Sequence, residues 1–566
     1  MRRSFLSALA FASAVLALSP TITLSHPEAT IIGIPGEVES FNAIPFAQQP
    51  VGNLRLRAPM PLEEPLGTIE ATGISKSCPN FWLTTGAHVL DGSQNPLEAI
   101  LNDLVDLPLD IVGEILTSPF FNVATNTAED CLSLNIRRPA GTTKDSKLPV
   151  LFWIHGGGFE WGAAYQYEGT PLVLDSINMD MPFIYVAIGY RLGGFGFLAG
   201  KEVKEAGVSN LGLLDQRMAM QWVADNIADF GGDPDKVTIW GESAGAISVF
   251  DQMAMFDGDN TYKGKPLFRA AMMDSGSVIP MEPVDSEKNQ GLYDTVVDNA
   301  GCSGAKDTLE CLRQAPFETF YNAANSVPNL FTYYSIDLSY MPRPDGKILT
   351  DSPDVLVKEG KTAKVPFIIG DQEDEGTLFA LFQPNLTSQE DMIDYMAHVW
   401  RRASREDLQE FVKTYPDDLA AGSPYYTGIL WNIWPKFKRM ASMLGDIVFI
   451  LQRRLLLDTA QVPCWTFISS YDRGTPILGT FHISDIIQVF YGVLPNYASK
   501  AFHTYYYSFI YDMNPNSRRG NLPEWPQYSE GHKALNMFAG ESKLIVDDFR
   551  NESYSVLLDH IDTFRW

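Results

Sequence analysis

Five short apolar runs restrict this chain more than any other feature it carries. They are LPVLFWIH (148–155), MPFIYVAIGY (181–190), KVTIWG (236–241), VPFIIG (365–370) and VPCWTFISS (462–470). Their apolarity is continuous rather than alternating, and β-type residues dominate. That pattern suits strands buried on both faces. Helix-like segments lie between the runs. The best is DQRMAMQWVADNIADFGG (215–232), in which Met218, Trp222 and then Asn226 to Phe230 bring apolar residues round at helical spacing. Gly231 and Gly232 stop it. Strands alternating with helices predict an α/β fold, a mostly parallel sheet with helices on both faces. No repeat, low-complexity tract or obvious linker breaks the 566 residues. The expectation is one large domain over 26–566 with long insertions.

The start of the chain reads differently. Arg2 and Arg3 precede an apolar stretch from Phe5 to Leu18, followed by small and polar residues. This layout predicts a secretory signal peptide over 1–25, with cleavage near Ser25; the apolar run is short for a membrane span. The net charge of −27 repels nucleic acid and anionic membranes. Five Cys residues suit an oxidising compartment. Cys302 and Cys311 are close enough to close a short loop, and Cys78 and Cys131 bracket a long segment. Pairing does not follow from sequence. Cys464, inside an apolar run, reads as a buried free thiol. Asn385 and Asn551 head glycosylation sequons and are expected at the surface. No Cys/His spacing suggests zinc, and no cofactor is expected.

In VTIWGESAGAISVF (237–250), Ser243 stands between a strand and a plausible helix beginning at Ala244. Strand, tight turn and helix make a nucleophile elbow. Gly241 and Gly245 leave room for the strained turn, and the helix start offers N–H groups to a developing negative charge. The HGGGF stretch (155–159) brings a flexible backbone to the end of another strand, where its N–H groups can join that of Ala244 in an oxyanion hole. His155 precedes Ser243 in the chain, the wrong order for a base in such a fold, and reads as a residue that orients the loop. Gly194-Phe-Gly196-Phe-Leu-Ala199 loosely matches a dinucleotide fingerprint with Asp215 at about the right distance. No convincing long helix opens there, so cofactor binding is not expected. The acidic run from Asp371 to Glu375 follows a strand and reads as a loop carrying a catalytic acid.

With these residues in place, the chain resembles the type-B carboxylesterase/lipase family, which includes the cholinesterases, and within it the secreted fungal lipases similar to the Candida rugosa enzyme. The matching stretches are AIPFAQQPVGNLRLRAP (43–59), EDCLSLNI (129–136), HGGGF (155–159), the segment from Asn210 to Gly245, DQEDEGT (371–377) and GTFHISDI (479–486), in family order. The resemblance implies an α/β-hydrolase fold and a secreted carboxylic-ester hydrolase working through an acyl-enzyme. Its nucleophile would be Ser243, its acid Glu375 and its base His482. The base is picked out only by this motif, since His398, His503 and His532 are rivals. The implied oxyanion donors are Gly157, Gly158 and Ala244. The implied disulfides are Cys78–Cys131 and Cys302–Cys311, with Cys464 free and Arg55–Glu129 a structural ion pair.

The segment 79–130 corresponds to a lid over the active site in related lipases, and Leu97, Ile100, Leu101, Leu104 and Val105 fall at helical spacing within it. Where cholinesterases carry a Trp that meets a quaternary ammonium, this chain has Phe121, which disfavours choline esters. A lipase acting on apolar acyl esters is therefore expected, with transient contact to a lipid interface. A carboxylesterase for smaller soluble or aromatic esters is the alternative, and a non-catalytic adhesion protein of the same fold is a third reading. Glu242, beside the nucleophile, is expected to have a structural partner.

Overall fold

The computed structural model describes residues 18–81, 126–330, 332–492 and 495–566. Its centre is a ten-stranded sheet. In chain order the strands are β1 (Val38–Pro45), β2 (Ser133–Pro139), β3 (Leu148–Ile154), β4 (Ile184–Ile188), β5 (Gly232–Glu242), β6 (Ala270–Asp274), β7 (Phe367–Gln372), β8 (Cys464–Ser469), β9 (Lys533–Met537) and β10 (Ser542–Val546). Their spatial order is β10-β9-β8-β7-β6-β5-β3-β4-β2-β1. Neighbours from β9 through to β4 pair in parallel. The pairings at the two edges are antiparallel.

All five apolar runs become central strands, β3, β4, β5, β7 and β8. The reason is two-sided burial. Along β3, Val150, Phe152 and Ile154 enter one core, while Leu151 and Trp153 enter the other. Residues Ile184, Val186 and Ile188 of β4 divide from Tyr185 and Ala187 in the same way. One central strand does not stand out in the sequence. β6 reads Ala-Ala-Met-Met-Asp, and Ala and Met are strong helix formers. Its place between β5 and β7, with every residue buried, overrides that preference.

The expected helix within 215–232 is α1, Leu211–Asn226. A 3₁₀ turn over Ile227–Phe230 follows, and Gly231 at φ 88° ends it. The helix after Ser243 is α2, Ala244–Gly258. Residues 21–25, at the end of the expected leader, form a strand paired antiparallel with Glu28–Ile32. Ile22 and Leu24 point inward from it, so its alternation is that of a half-buried strand. The first seventeen residues, most of the segment 79–130 and Phe121 lie outside the described residues. Among the described residues no helix is long and apolar enough to cross a membrane.

Both disulfides are present, Cys78–Cys131 and Cys302–Cys311, and Cys464 is free and buried. Arg55 ties the two regions together. Its Nε lies 2.6 Å from Glu129 Oε1, its Nη2 lies 2.8 Å from Glu129 Oε2, and its Nη1 donates to Ala315 O at 2.6 Å. Functional loops in a parallel sheet gather at the carboxyl ends of the strands. Here β3 leads into Gly156–Gly158, β5 into Ser243, β7 into Glu375 and β8 into the loop that carries His482.

Candidate active site

Ser243 sits at the junction of β5 and α2 with φ 58° and ψ −127°. This is strained for any residue but glycine, so the turn is held from outside. Space around it is the constraint. A Cβ on Gly245 would lie 2.1 Å from Ile154 O, and one on Gly241 would lie 2.4 Å from the backbone of Gly245. Only glycine lets α2 approach the ends of β3 and β5 this closely. The Ser243 N–H donates to Asp274 O at 2.9 Å, which pins the turn to β6. The same Asp274 accepts from the Trp240 indole and the Tyr506 hydroxyl, both at 2.9 Å.

The hydroxyl of Ser243 lies 2.9 Å from His482 Nε2, and His482 Nδ1 lies 2.6 Å from Glu375 Oε2. The other Glu375 oxygen accepts from the Gln372 N–H at 2.7 Å. Thus Ser243, His482 and Glu375 form one continuous hydrogen-bonded chain across three loops. Phe379 and Phe449 flank the imidazole, with centroids 5.1 and 4.7 Å away. His482 is fully buried. Burial pushes its imidazole down to about 3, which keeps the ring neutral and Nε2 free to accept the Ser243 proton.

Glu242 was expected to have a structural partner. Neither of its carboxyl oxygens hydrogen-bonds a described residue. Oε1 instead lies 3.4 Å from His482 Nε2. Burial, then the neighbouring Asp485, Glu375 and Asp274, push this carboxyl well above the usual carboxylate range.

On the other side of Ser243, the Ala244 N–H occupies the first turn of α2, where no intrahelical acceptor exists. Gly157 and Gly158 adopt φ of 102° and 62°. Their N–H groups donate to no described residue. Gly158, Ser243, Ala244 and His482 line one cleft together. The rest of its wall is apolar, including Ile247, Leu330, Ile336, Leu338, Met341 and Trp566. His155 lies beneath the glycine loop. It stacks on Tyr190 at 4.5 Å, and its Nδ1 meets Gly156 O at 2.9 Å. Burial lowers it to about 4. It touches the loop and not Ser243, in keeping with an orienting role.

The other sequence candidates have separate partners. Asp215 is taken by Arg191 in a buried pair, with Nε and Nη2 at 2.7 and 2.6 Å. The glycines before it form only a short buried helix, Gly193–Phe197. In the acidic run, Asp371 meets Arg453 at 2.8 Å, Glu373 pairs with Arg473, and Asp374 accepts from Ser423 and Tyr425. His398 faces Asp337 at 3.3 Å, His503 faces Asp175 at 2.7 Å, and His532 stacks on Tyr528. Asn385 and Asn551 are exposed. Phe379, Phe449, Asp274 and the wall from Leu330 to Met341 escape sequence reading. Apolar and aromatic residues are common in this chain, and only packing singles these out.

A largely parallel, doubly covered sheet with a serine elbow after β5 defines an α/β-hydrolase. The family model for the carboxylesterase family matches residues 28–556, and the chain belongs to that family. It is 52% identical over 556 residues to "Secreted lipase 1" of Botryotinia fuckeliana, covering 97% of this chain and 94% of that one. It is 51% identical to "Secreted triacylglycerol lipase LIP1" of Gibberella zeae, covering 95% and 90%. It is 40% identical to "Lipase 4" of Diutina rugosa, covering 97% of each. Among solved structures, Aspergillus niger EstA superposes with a TM-score of 0.79 at 25% identity, covering 97% of this chain and 99% of that one.

Proposed function

We propose that this protein is an exported lipase that cleaves apolar carboxylic esters through an acyl-enzyme on Ser243. The observation that carries the reading is the chain Ser243 Oγ–His482 Nε2, 2.9 Å, and His482 Nδ1–Glu375 Oε2, 2.6 Å, at the base of an apolar cleft. His482 Nε2 takes the hydroxyl proton as Ser243 Oγ bonds to the ester carbonyl carbon. The carbonyl oxygen becomes an oxyanion and accepts hydrogen bonds from the N–H groups of Gly157, Gly158 and Ala244. Glu375 stabilises the imidazolium and fixes its tautomer. The imidazolium then protonates the leaving alkoxide as the carbon–oxygen bond breaks. Water repeats the cycle, giving its proton to His482 and releasing the acid. The aliphatic wall of the cleft suits an acyl chain and offers little to a charged one.

Relatives named as secreted lipases support this reading and export. An acyl-chain-length series, run below and above each ester's solubility limit, tests the substrate class. The expected result is a rise in rate with long chains once the ester forms a separate phase. Saturation on short soluble esters, without that rise, overturns the lipase reading in favour of a carboxylesterase.

A further inference from the structure

From Gly422 to Pro435 the chain reads GSPYYTGILWNIWP, without one charged residue, in a protein that is 20% charged. Tyr426 is 77% exposed, Ile429 74% and Leu430 59%, and Trp431 is also exposed. Burying large apolar side chains is the main driving force of folding, so four consecutive-turn apolar side chains left in water mark a surface that meets something apolar. The scaffold beneath the tip is built. The Lys438 ammonium, beneath it, donates to Thr427 Oγ1 at 2.6 Å and to Gly428 O at 2.8 Å. The charged groups beside it are engaged with partners. Lys436 pairs with Asp417 at 2.8 Å, and the Arg473 guanidinium lies 4.0 Å over the Tyr426 ring.

The tip is also joined to the candidate active site by two routes. Asp374, next to Glu375, accepts from Ser423 Oγ at 2.7 Å and Tyr425 N–H at 2.9 Å, at the tip's root. Its other oxygen accepts from Thr480 N–H at 2.9 Å, two residues before His482. Downstream, the tip runs into the nine-residue helix α3 (Phe437–Gly445). That helix packs on the Glu375 loop, where a Cβ on Gly376 would meet Ala441 O at 1.9 Å. It continues into Val448 and Phe449, which line the cleft. At 1.5 Å per residue, α3 sets the tip about 13 Å along its axis from that wall.

We infer that Tyr426, Ile429, Leu430 and Trp431 form an anchor that inserts into an uncharged ester surface and docks the cleft against it. Charge decides the occupant. A chain of net charge −27 is repelled by anionic bilayers, while a tip with no charged residue of its own suits neutral oil. Trp and Tyr suit the water–oil boundary, with an apolar body and a polar tip. The inference rests on the lipase reading, and its test separates the two.

The test uses the full chain. In a Ser243→Ala background, flotation with triolein droplets measures binding without turnover. The double variant Ile429→Ser with Leu430→Ser is expected to weaken droplet binding at least tenfold, since each buried aliphatic side chain is worth about tenfold or more in partitioning. With Ser243 intact, the double variant is expected to keep kcat/KM on a dissolved butyrate ester within twofold and to lose emulsion hydrolysis at least tenfold. The retained soluble activity reports a folded protein. Unchanged droplet binding by the double variant overturns the anchor, as does a parent chain that does not float. Concentration-dependent dimers abolished by the double variant, with unchanged flotation, would assign the tip to a second copy and also overturn it. Loss of soluble-ester hydrolysis by the parent chain would strike the lipase reading alone.

Discussion

Burial sets the protonation of the site. His482 has no access to water and is packed between Phe379 and Phe449. The charged imidazolium is disfavoured there, so its pKa falls below the ordinary 6.5. The sign for activity follows. The base must be neutral to accept the Ser243 proton, and a lowered pKa keeps it neutral to lower pH. On a dissolved ester, the acid limb of kcat/KM is therefore expected to have its midpoint well below 6.5. A pH profile measures it, and a midpoint at or above that value contradicts the burial account. Glu242 belongs to the same scale. Its carboxyl lies 3.4 Å from His482 Nε2, and burial and the carboxyls around it hold it well above the usual carboxylate range. Ser243 stands out as the candidate nucleophile from its neighbours in the chain. His482 does not, because one of eight His residues is singled out only by the motif it shares with a family. The rings around it were not readable either, since their role exists only once three distant loops meet.

At the scale of elements, the elbow is where sequence and space agree most closely. Gly245 is required because a Cβ there would lie 2.1 Å from the Ile154 carbonyl, a backbone atom that cannot swing aside. Gly245→Ala is expected to destabilise the protein by about 1–3 kcal/mol and to cut kcat by two orders of magnitude or more. Gly291 provides the contrast. It lies in the helix Glu287–Asn299 with open space around it, and Gly291→Ala is expected to stabilise by about 0.5–1 kcal/mol. Thermal melting and soluble-ester kinetics read both. The buried strands were legible for the same kind of reason. A strand covered on both faces must be apolar at every position, and that pattern survives without coordinates. β6 escaped because Ala and Met satisfy burial equally well in a helix, and only its partners β5 and β7 decide. The edge strands escaped because their burial is partial and their residues mixed, as in the Ser-Lys-Leu-Ile-Val of β10.

At the scale of the molecule, distant segments are fastened around the sheet so that four loops converge. The Cys78–Cys131 and Cys302–Cys311 crosslinks lie on the two sides of the Arg55 network. The long cleft wall from Leu330 to Met341 is supplied by chain far from the elbow, as is Trp566. The residues from Thr21 to Ser25, at the end of the expected leader, pair with Glu28–Ile32. In the proposed mechanism this architecture makes Ser243 the nucleophile. Intact-mass and peptide analysis after exposure to a fluorophosphonate measures that most directly. One adduct per folded chain is expected, on Ser243, lost in His482→Ala and after denaturation, together with loss of ester turnover in Ser243→Ala. An adduct on another residue, or none on folded protein that still turns over esters, would contradict it.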